Sequence, residues 1–208
     1  EKIMESVLHI IRHGITEGNQ KNWHYGSSDI PLAEEGIDNI RNLKLLKVYP
    51  DINGGFFTSG MLRTNQTLNL IYGDVDKKYV RNLREINFGE FEKKTHEELK
   101  DDERYVRWIE DEIGNVKLPN GESKTEFQER VISGFMELLD NHRLSELKYR
   151  HGDIVANSLC VCHGGVIGAI MSKVFEREQR HFVEWIPRPA RGFTLYINNG
   201  KAVEYKEL

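Results

Sequence analysis

The chain has 208 residues but only two cysteines and five prolines. Cys160 and Cys162 stand two apart within one extended run, Ser158 to Cys162. Alternate residues of a strand share a face, yet neighbours on a single strand are badly placed for a bridge. A disulfide scaffold is excluded, and both thiols are read as core packing rather than as metal ligands, consistent with a reducing, cytoplasmic setting. No stretch approaches the roughly 20 apolar residues a membrane helix needs, and Glu1 to Ser6 holds no secretory apolar core. Positive charge is not in excess either, with 29 Lys and Arg against 33 Asp and Glu. A general nucleic-acid binder needs a basic surface, so neither nucleic acid nor membrane is an expected partner. Repeats, low-complexity tracts and linkers are missing, and no heptad or long apolar edge fixes an oligomeric state.

What is present is an alternation of strand and helix signals, long enough to bury a sizeable core. Val7 to Ile11 reads as a buried strand. Ile37, Ile40, Leu43 and Leu46 recur by threes in a helical segment that Pro50 and Gly54-Gly55 end. Phe56 to Thr58 reads as a strand, Met61 to Tyr72 as a helix with Leu68 and Ile71 inward, and Lys78 to Leu83 as extended. Thr95 to Gly114 is polar and mostly helical, anchored by Leu99, Tyr105, Trp108 and Ile109, and Leu118 to Gly121 is a turn. Phe127, Val131, Phe135, Leu138 and Leu139 give the clearest helical period. Ser158 to Cys162 is a strand and Gly165 to Phe175 a helix. Phe193 to Ile197 and Ala202 to Tyr205 flank Asn198-Asn199-Gly200, a hairpin signal. The pattern predicts an α/β fold over residues 1–208. It is a single three-layer αβα domain with a mostly parallel sheet, helices on both faces and a C-terminal antiparallel hairpin. A small helical cap is expected around 92–122.

Ligands of open α/β sheets sit beyond the carboxyl ends of the strands, and the polar residues of this chain gather there. Arg12-His13-Gly14 follows the first strand. Ser59 and Arg63 follow the second, Glu85 follows the third extended piece, and His163-Gly164-Gly165 opens the helix after Ser158 to Cys162. Two His, two Arg and one Glu suit phosphoryl transfer through a histidine. Arg12 and Arg63 can grip a phosphate through paired hydrogen bonds. The helix start at Gly164-Gly165 points N–H groups at the same oxygens. One imidazole, kept neutral by the guanidinium groups, attacks phosphorus, while the other donates to a phosphoryl oxygen. Glu85 is the candidate acid for the leaving alkoxide and then base for water. Asn19 can donate without adding charge.

The stretch from Arg12 to Asn19 resembles the signature of the histidine phosphatase superfamily, the phosphoglycerate-mutase-like proteins. The likeness continues through Asp29 to Leu32, Ser59 to Thr67, Leu83 to Glu92 and Cys162 to Gly165. It implies His13 as the nucleophile that becomes phosphohistidine, and Arg12, Arg63 and His163 as the phosphate pocket. Glu85 is then the proton donor and Asn19 a further pocket residue. Thr16, Gly26, Ser27 and Gly164 join them as expected substrate-binding residues, with no metal and no cofactor. Gly60 departs from the Pro or Asp that many members carry after the Ser.

Within that superfamily, a mutase needs a basic clamp for a second phosphate. Glu92 to Asn115 instead holds five Lys and Arg against nine acids. The expected activity is therefore hydrolysis of small phosphate esters, with a cofactor-dependent phosphoglycerate mutase as the alternative. Pro119 to Ser123 with Phe127 to Val131 resembles the bacterial α-ribazole and broad-specificity phosphatase branch. Trp23, Tyr25, Phe88, Phe91, Tyr105 and Trp108 are read either as packing or as a mouth for an aromatic leaving group. His9 is expected on a sheet face and His24 at a loop near the site. His96, His142, His151 and His181 are expected at the surface, and Arg188 and Arg191 at the pocket mouth or in plain loop.

Overall fold

Along the first strand, Leu8 and Ile10 face one side of the sheet and His9 and Ile11 the other, and all four are buried. A strand covered on both faces follows directly from that near-continuous apolar run. The computed structural model describes residues 5–208. The expectation of no leader falls partly on residues 1–4, outside that range. In chain order the regular elements are β1 (Glu5–Arg12), α1 (Glu17–Gln20), β2 (Trp23–His24), α2 (Glu34–Leu45) and β3 (Phe56–Thr58). Then come α3 (Leu62–Tyr72), β4 (Lys78–Tyr79), β5 (Lys94–Thr95), α4 (His96–Leu99) and α5 (Glu103–Glu110). The chain ends with α6 (Lys124–Tyr149), β6 (Ala156–Cys162), α7 (Gly164–Val174), β7 (Gly192–Asn198) and β8 (Lys201–Glu207).

Six strands form one sheet in the order β4-β3-β6-β1-β7-β8. The first four are parallel, and the β7–β8 hairpin adds antiparallel to β1. The hairpin turns at Asn199 and Gly200, both at positive φ, as a tight two-residue turn requires. Helices cover both faces. Leu8, Ile10, Cys160 and Cys162 pack against Val131, Phe135, Val166 and Ile170 of α6 and α7. On the opposite face Ile11, Leu159 and Val161 meet Ile40 of α2 and Leu68 of α3. The cysteines are free and buried on one face. The 26-residue α6 starts with a capping box between Ser123 and Glu126, worth about 1 kcal/mol.

The segment 92–122 pairs β5 with β2, and its Leu99, Tyr105 and Leu118 form a small core with Phe91. Several local expectations need correction. The extended piece stops at Tyr79 and tightens into a 3-10 turn at Arg81–Leu83, driven by burial of Leu83. Leu46 and Ile109 are exposed rather than inward, since each lies where its helix runs out. His142 is buried, not at the surface, because α6 lays it on the sheet. No helix among the described residues is long and apolar enough to cross a membrane.

Candidate active site

Strand register brings the distant motifs together. Arg12 of β1 pairs with Cys162 of β6, so the next residues, His13 and His163, leave the sheet side by side. Their rings lie edge to face with centroids 5.3 Å apart. Thr58 of β3 pairs with Val161, which puts Ser59 beside His163, and its hydroxyl shares a 2.8 Å hydrogen bond with His163 Nε2.

Each ring is held in one orientation. His13 Nδ1 donates to the carbonyl of Gly14 at 2.6 Å, which leaves Nε2 with its lone pair. His163 Nδ1 is buried without a partner. Burial first, and then the Arg63 and Arg12 charges, push the pKa of both imidazoles well below the usual histidine value. Both are therefore neutral at pH 7, and His13 is available as a nucleophile.

The two arginines are fixed by carbonyls, not by carboxylates. Arg63, wholly buried at the start of α3, donates to Ser28 O at 2.8 Å and to Gly26 O at 2.9 Å. Its guanidinium carbon lies 4.9 Å from the Tyr25 ring centroid. Arg12 donates to Pro187 O at 2.9 Å. The Nε atoms of both are buried and unpaired. Two cations among dipoles, with unspent donors, make a site that favours an anion.

Behind Arg63 stands Glu92, which the sequence reading passed over. Its carboxylate accepts from Gly26 N at 3.0 Å, Ser27 N and Ser27 Oγ at 2.7 Å, and Ser28 Oγ at 3.0 Å. The loop whose carbonyls aim Arg63 is thus pinned by one half-buried carboxylate. The amides of Gly26 and Ser27, two expected substrate contacts, are engaged by Glu92. Thr16 is engaged likewise. Fully buried, it caps α1 and bonds the Tyr25 hydroxyl at 2.6 Å. Asn19 fares better. Its Oδ1 accepts from Thr16 N at 2.9 Å and from one of the Thr16 and Tyr25 hydroxyls, the other hydroxyl hydrogen lying between those two, which turns the amide NH2 free as a donor, and Asn19 lines the cavity.

Glu85 sits where the chain passes the N-terminus of α7. Oε2 accepts from Gly165 N at 2.9 Å and Oε1 from its own neighbour Ile86 N at 3.0 Å. The expected phosphate contact at this helix start is therefore shared with Glu85. A Cβ on Gly165 would stand 2.4 Å from Glu85 Oε1, so only glycine allows that approach. Burial raises the Glu85 pKa above the usual carboxylate value, against the two amides and the two arginines. Arg130 of α6 holds the supporting loop through the carbonyls of Asn82, Arg84 and Glu85, and pairs with Glu122 at 2.7 Å.

Arg12, His13, Asn19, Arg63, Glu85 and Gly164 line one cavity of about 940 Å³, and His163 abuts its floor through His13. His24 also lines it, with Nε2 3.1 Å from Tyr105 Oη. His9 is buried on a sheet face as expected, and His181, although exposed, reaches the cavity rim. Arg188 and Arg191 do not line the cavity. Their loop serves through its backbone, since Arg12 N donates to Arg191 O at 2.9 Å. No cluster of three or more His, Cys, Asp or Glu positioned for a metal occurs among the described residues.

This set of residues, on this sheet, defines a phosphate-handling α/β protein. The chain belongs to the histidine phosphatase superfamily (branch 1), whose pattern it matches over residues 8–204. It is similar to the adenosylcobalamin/alpha-ribazole phosphatase of Salmonella typhimurium, with 29% identity over 171 residues, 80% of this chain and 78% of the relative. The 2,3-bisphosphoglycerate-dependent phosphoglycerate mutase of Xanthobacter autotrophicus is 26% identical over 140 residues, 64% of this chain and 68% of the relative. A solved structure from Escherichia coli K-12 MG1655, provisionally described as an alpha-ribazole-5'-P phosphatase, superposes with a TM-score of 0.79. It shares 25% identity and covers 98% of this chain and 95% of that one.

Proposed function

We propose that this protein is a phosphomonoesterase working through a phosphohistidine on His13, with Glu85 as general acid and base. One observation carries the reading. Two guanidinium groups, Arg63 buried and Arg12 half-buried, are held only by carbonyls beside a neutral imidazole whose Nε2 is free. Nε2 attacks phosphorus, forming the P–N bond as the ester P–O bond breaks. Arg12, Arg63, the Asn19 amide and His163 hold the equatorial oxygens as charge redistributes. Glu85, protonated, gives its proton to the departing alkoxide. As carboxylate it then takes a proton from the water that breaks the P–N bond, which releases phosphate and restores the ring.

Every step uses side chains of this chain, so EDTA is expected to leave the rate unchanged and vanadate to inhibit. Incubation with a ³²P-labelled alkyl phosphate should leave acid-labile label on His13. An unlabelled protein that still binds phosphate, or a rate lost to EDTA, contradicts the reading. The mutase alternative needs a second anion clamp. Lys124, the other long cation on the cavity wall, is spent on the carbonyls of Ile109 and Asp111 and on the Trp108 ring. 3-Phosphoglycerate is expected to yield free phosphate, and formation of 2-phosphoglycerate would favour the mutase.

A further inference from the structure

Beyond the phosphate-binding end, the cavity changes character. Its lining includes two apolar groups, Trp108, Ile109 and Ile113 at the end of α5 and just after it, and Phe182, Val183 and Ile186 in the segment between α7 and β7. Ile113 is 80% exposed and Val183 61%, so both groups leave apolar surface uncovered where they line the cavity. The second group is set firmly. Phe182 belongs to a 3-10 turn, Phe182–Trp185, that lies on the glycines of α7. A Cβ on Gly168 would meet the Phe182 ring at 2.9 Å, and one on Gly164 would meet Ile186 at 3.0 Å. The first group is set by Lys124, whose ammonium lies 5.0 Å from the Trp108 ring centroid and bonds two carbonyls at the end of α5.

Charge points the same way. The charged groups beside these apolar walls are Asp111, Glu112 and the already engaged Lys124. Asp111 is itself committed, accepting from Val116 N at 2.7 Å. An anionic group on the alcohol half of a substrate would find acid and hydrocarbon there. The volume, about 940 Å³, lies within the roughly 300–1,000 Å³ that binding pockets for drug-sized ligands span, far more than a phosphate needs.

We infer that the site takes phosphate monoesters whose alcohol is bulky, apolar and free of a second negative charge, held against the Ile109/Ile113 and Phe182/Val183 surfaces. The inference rests on the phosphatase reading and adds the class of leaving group. Hydrophobic selection of this kind is worth about tenfold or more per well-placed group.

The test compares the purified full chain on 3-phenylpropyl phosphate, propyl phosphate and 3-phosphoglycerate, using released phosphate. The first two leave alcohols of similar basicity, so a difference reports binding rather than intrinsic reactivity. The expected kcat/KM for the phenylpropyl ester exceeds that for propyl phosphate by at least about tenfold, and 3-phosphoglycerate is poorest. Phe182→Ala should pull the phenylpropyl-to-propyl ratio down severalfold. Ile113→Ser, at a solvent-facing position, gives the same readout if the first variant folds poorly. Equal kcat/KM for all three esters, or a ratio unmoved in both variants, overturns this inference alone. Absence of turnover of any ester, with no label on His13, overturns the phosphatase reading and this one with it.

Discussion

Two pairs of buried histidines, His9 with His142 and His13 with His163, are satisfied in opposite ways. At the amino end of β1 and β6, His142 lies in a chain with a definite direction. Gly55 N–H donates to Ser158 Oγ at 3.1 Å, and the Ser158 hydroxyl to His142 Nδ1 at 2.7 Å. His142 Nε2–H then donates to Ser6 Oγ at 2.8 Å, and the Ser6 hydroxyl to Glu146 at 2.5 Å. His9 is equally complete, with one nitrogen on Thr194 Oγ1 and the other on Asn157 Oδ1, each at 2.8 Å. At the carboxyl end, His13 has one nitrogen free and His163 one nitrogen orphaned, beside two arginines with unspent donors. Residue type and burial are the same. What separates a packed polar network from a working site is the unmet bonding capacity, which costs stability and is retained where a ligand completes it.

The comparison breaks most decisively at His13. His13→Ala is expected to lower turnover of an alkyl phosphate by at least about 10⁴-fold, the scale for loss of a nucleophile, as read by phosphate release. A variant retaining a tenth of the rate would move the nucleophile elsewhere. Glu85→Gln comes next, with a fall of about 10²–10⁴-fold on alkyl esters. The fall should be much smaller on p-nitrophenyl phosphate, whose leaving group needs no proton. Because the Glu85 pKa is raised, the acid form persists above the ordinary carboxylate range. The alkyl-ester rate should then decline as pH rises through that raised value, and the decline should vanish in Glu85→Gln.

A milder effect is expected behind the arginine. Glu92→Gln replaces acceptors with an amide group facing the donors of Gly26, Ser27 and Ser28, so the loop that aims Arg63 should relax. Phosphate binding should weaken about tenfold, near 1.4 kcal/mol, with kcat reduced less than KM is raised. The check is the phosphate-induced rise in melting temperature, since an anion that binds only the native state stabilises it by mass action. An undiminished rise in Glu92→Gln would mean that Arg63 needs no such support.

Much of this was legible in the residues, and the exceptions have a common cause. The strands and their order of polar ends could be read because β1, β3 and β6 are short apolar runs bounded by glycine and polar turns. The convergence of Arg12, His13, Arg63 and Glu85 follows once parallel strands are assumed. Pairwise burial was not legible. His142 looks like any polar residue late in a helix, and only the sheet beneath it shows that Ser6 and Ser158 meet it. Thr16, Gly26 and Ser27 are expected at the substrate through the family resemblance. Their donors are in fact taken by Asn19, Tyr25 and Glu92, partners up to 66 residues distant. Glu92 carried a signal that could have been used, as an acid closing the Leu83 to Glu92 motif, but its role depends on a loop that sequence does not place.

The saturated pair supplies the smallest effect and the sharpest control. Burial lowers the pKa of His9 to about 4 and lowers that of His142 as well. The folded state therefore keeps both rings neutral while the unfolded chain protonates them near pH 6.5. As pH falls from about 6.5 toward 4, the unfolded state binds more protons, so stability drops through that window and is fully present above it. His9→Gln should flatten the fall in urea midpoint between pH 6.5 and 4 while leaving turnover at pH 7.5 within about twofold, because no atom of His9 reaches the cavity. His13 and His163 share the lowered pKa, but their part of the acid loss should shrink when phosphate is bound, since the anion offsets an added proton. The His9 part should not respond to phosphate. If saturating phosphate abolished the entire acid-side slope, the two pairs would be coupled, and the division between a completed network and an open site would fail.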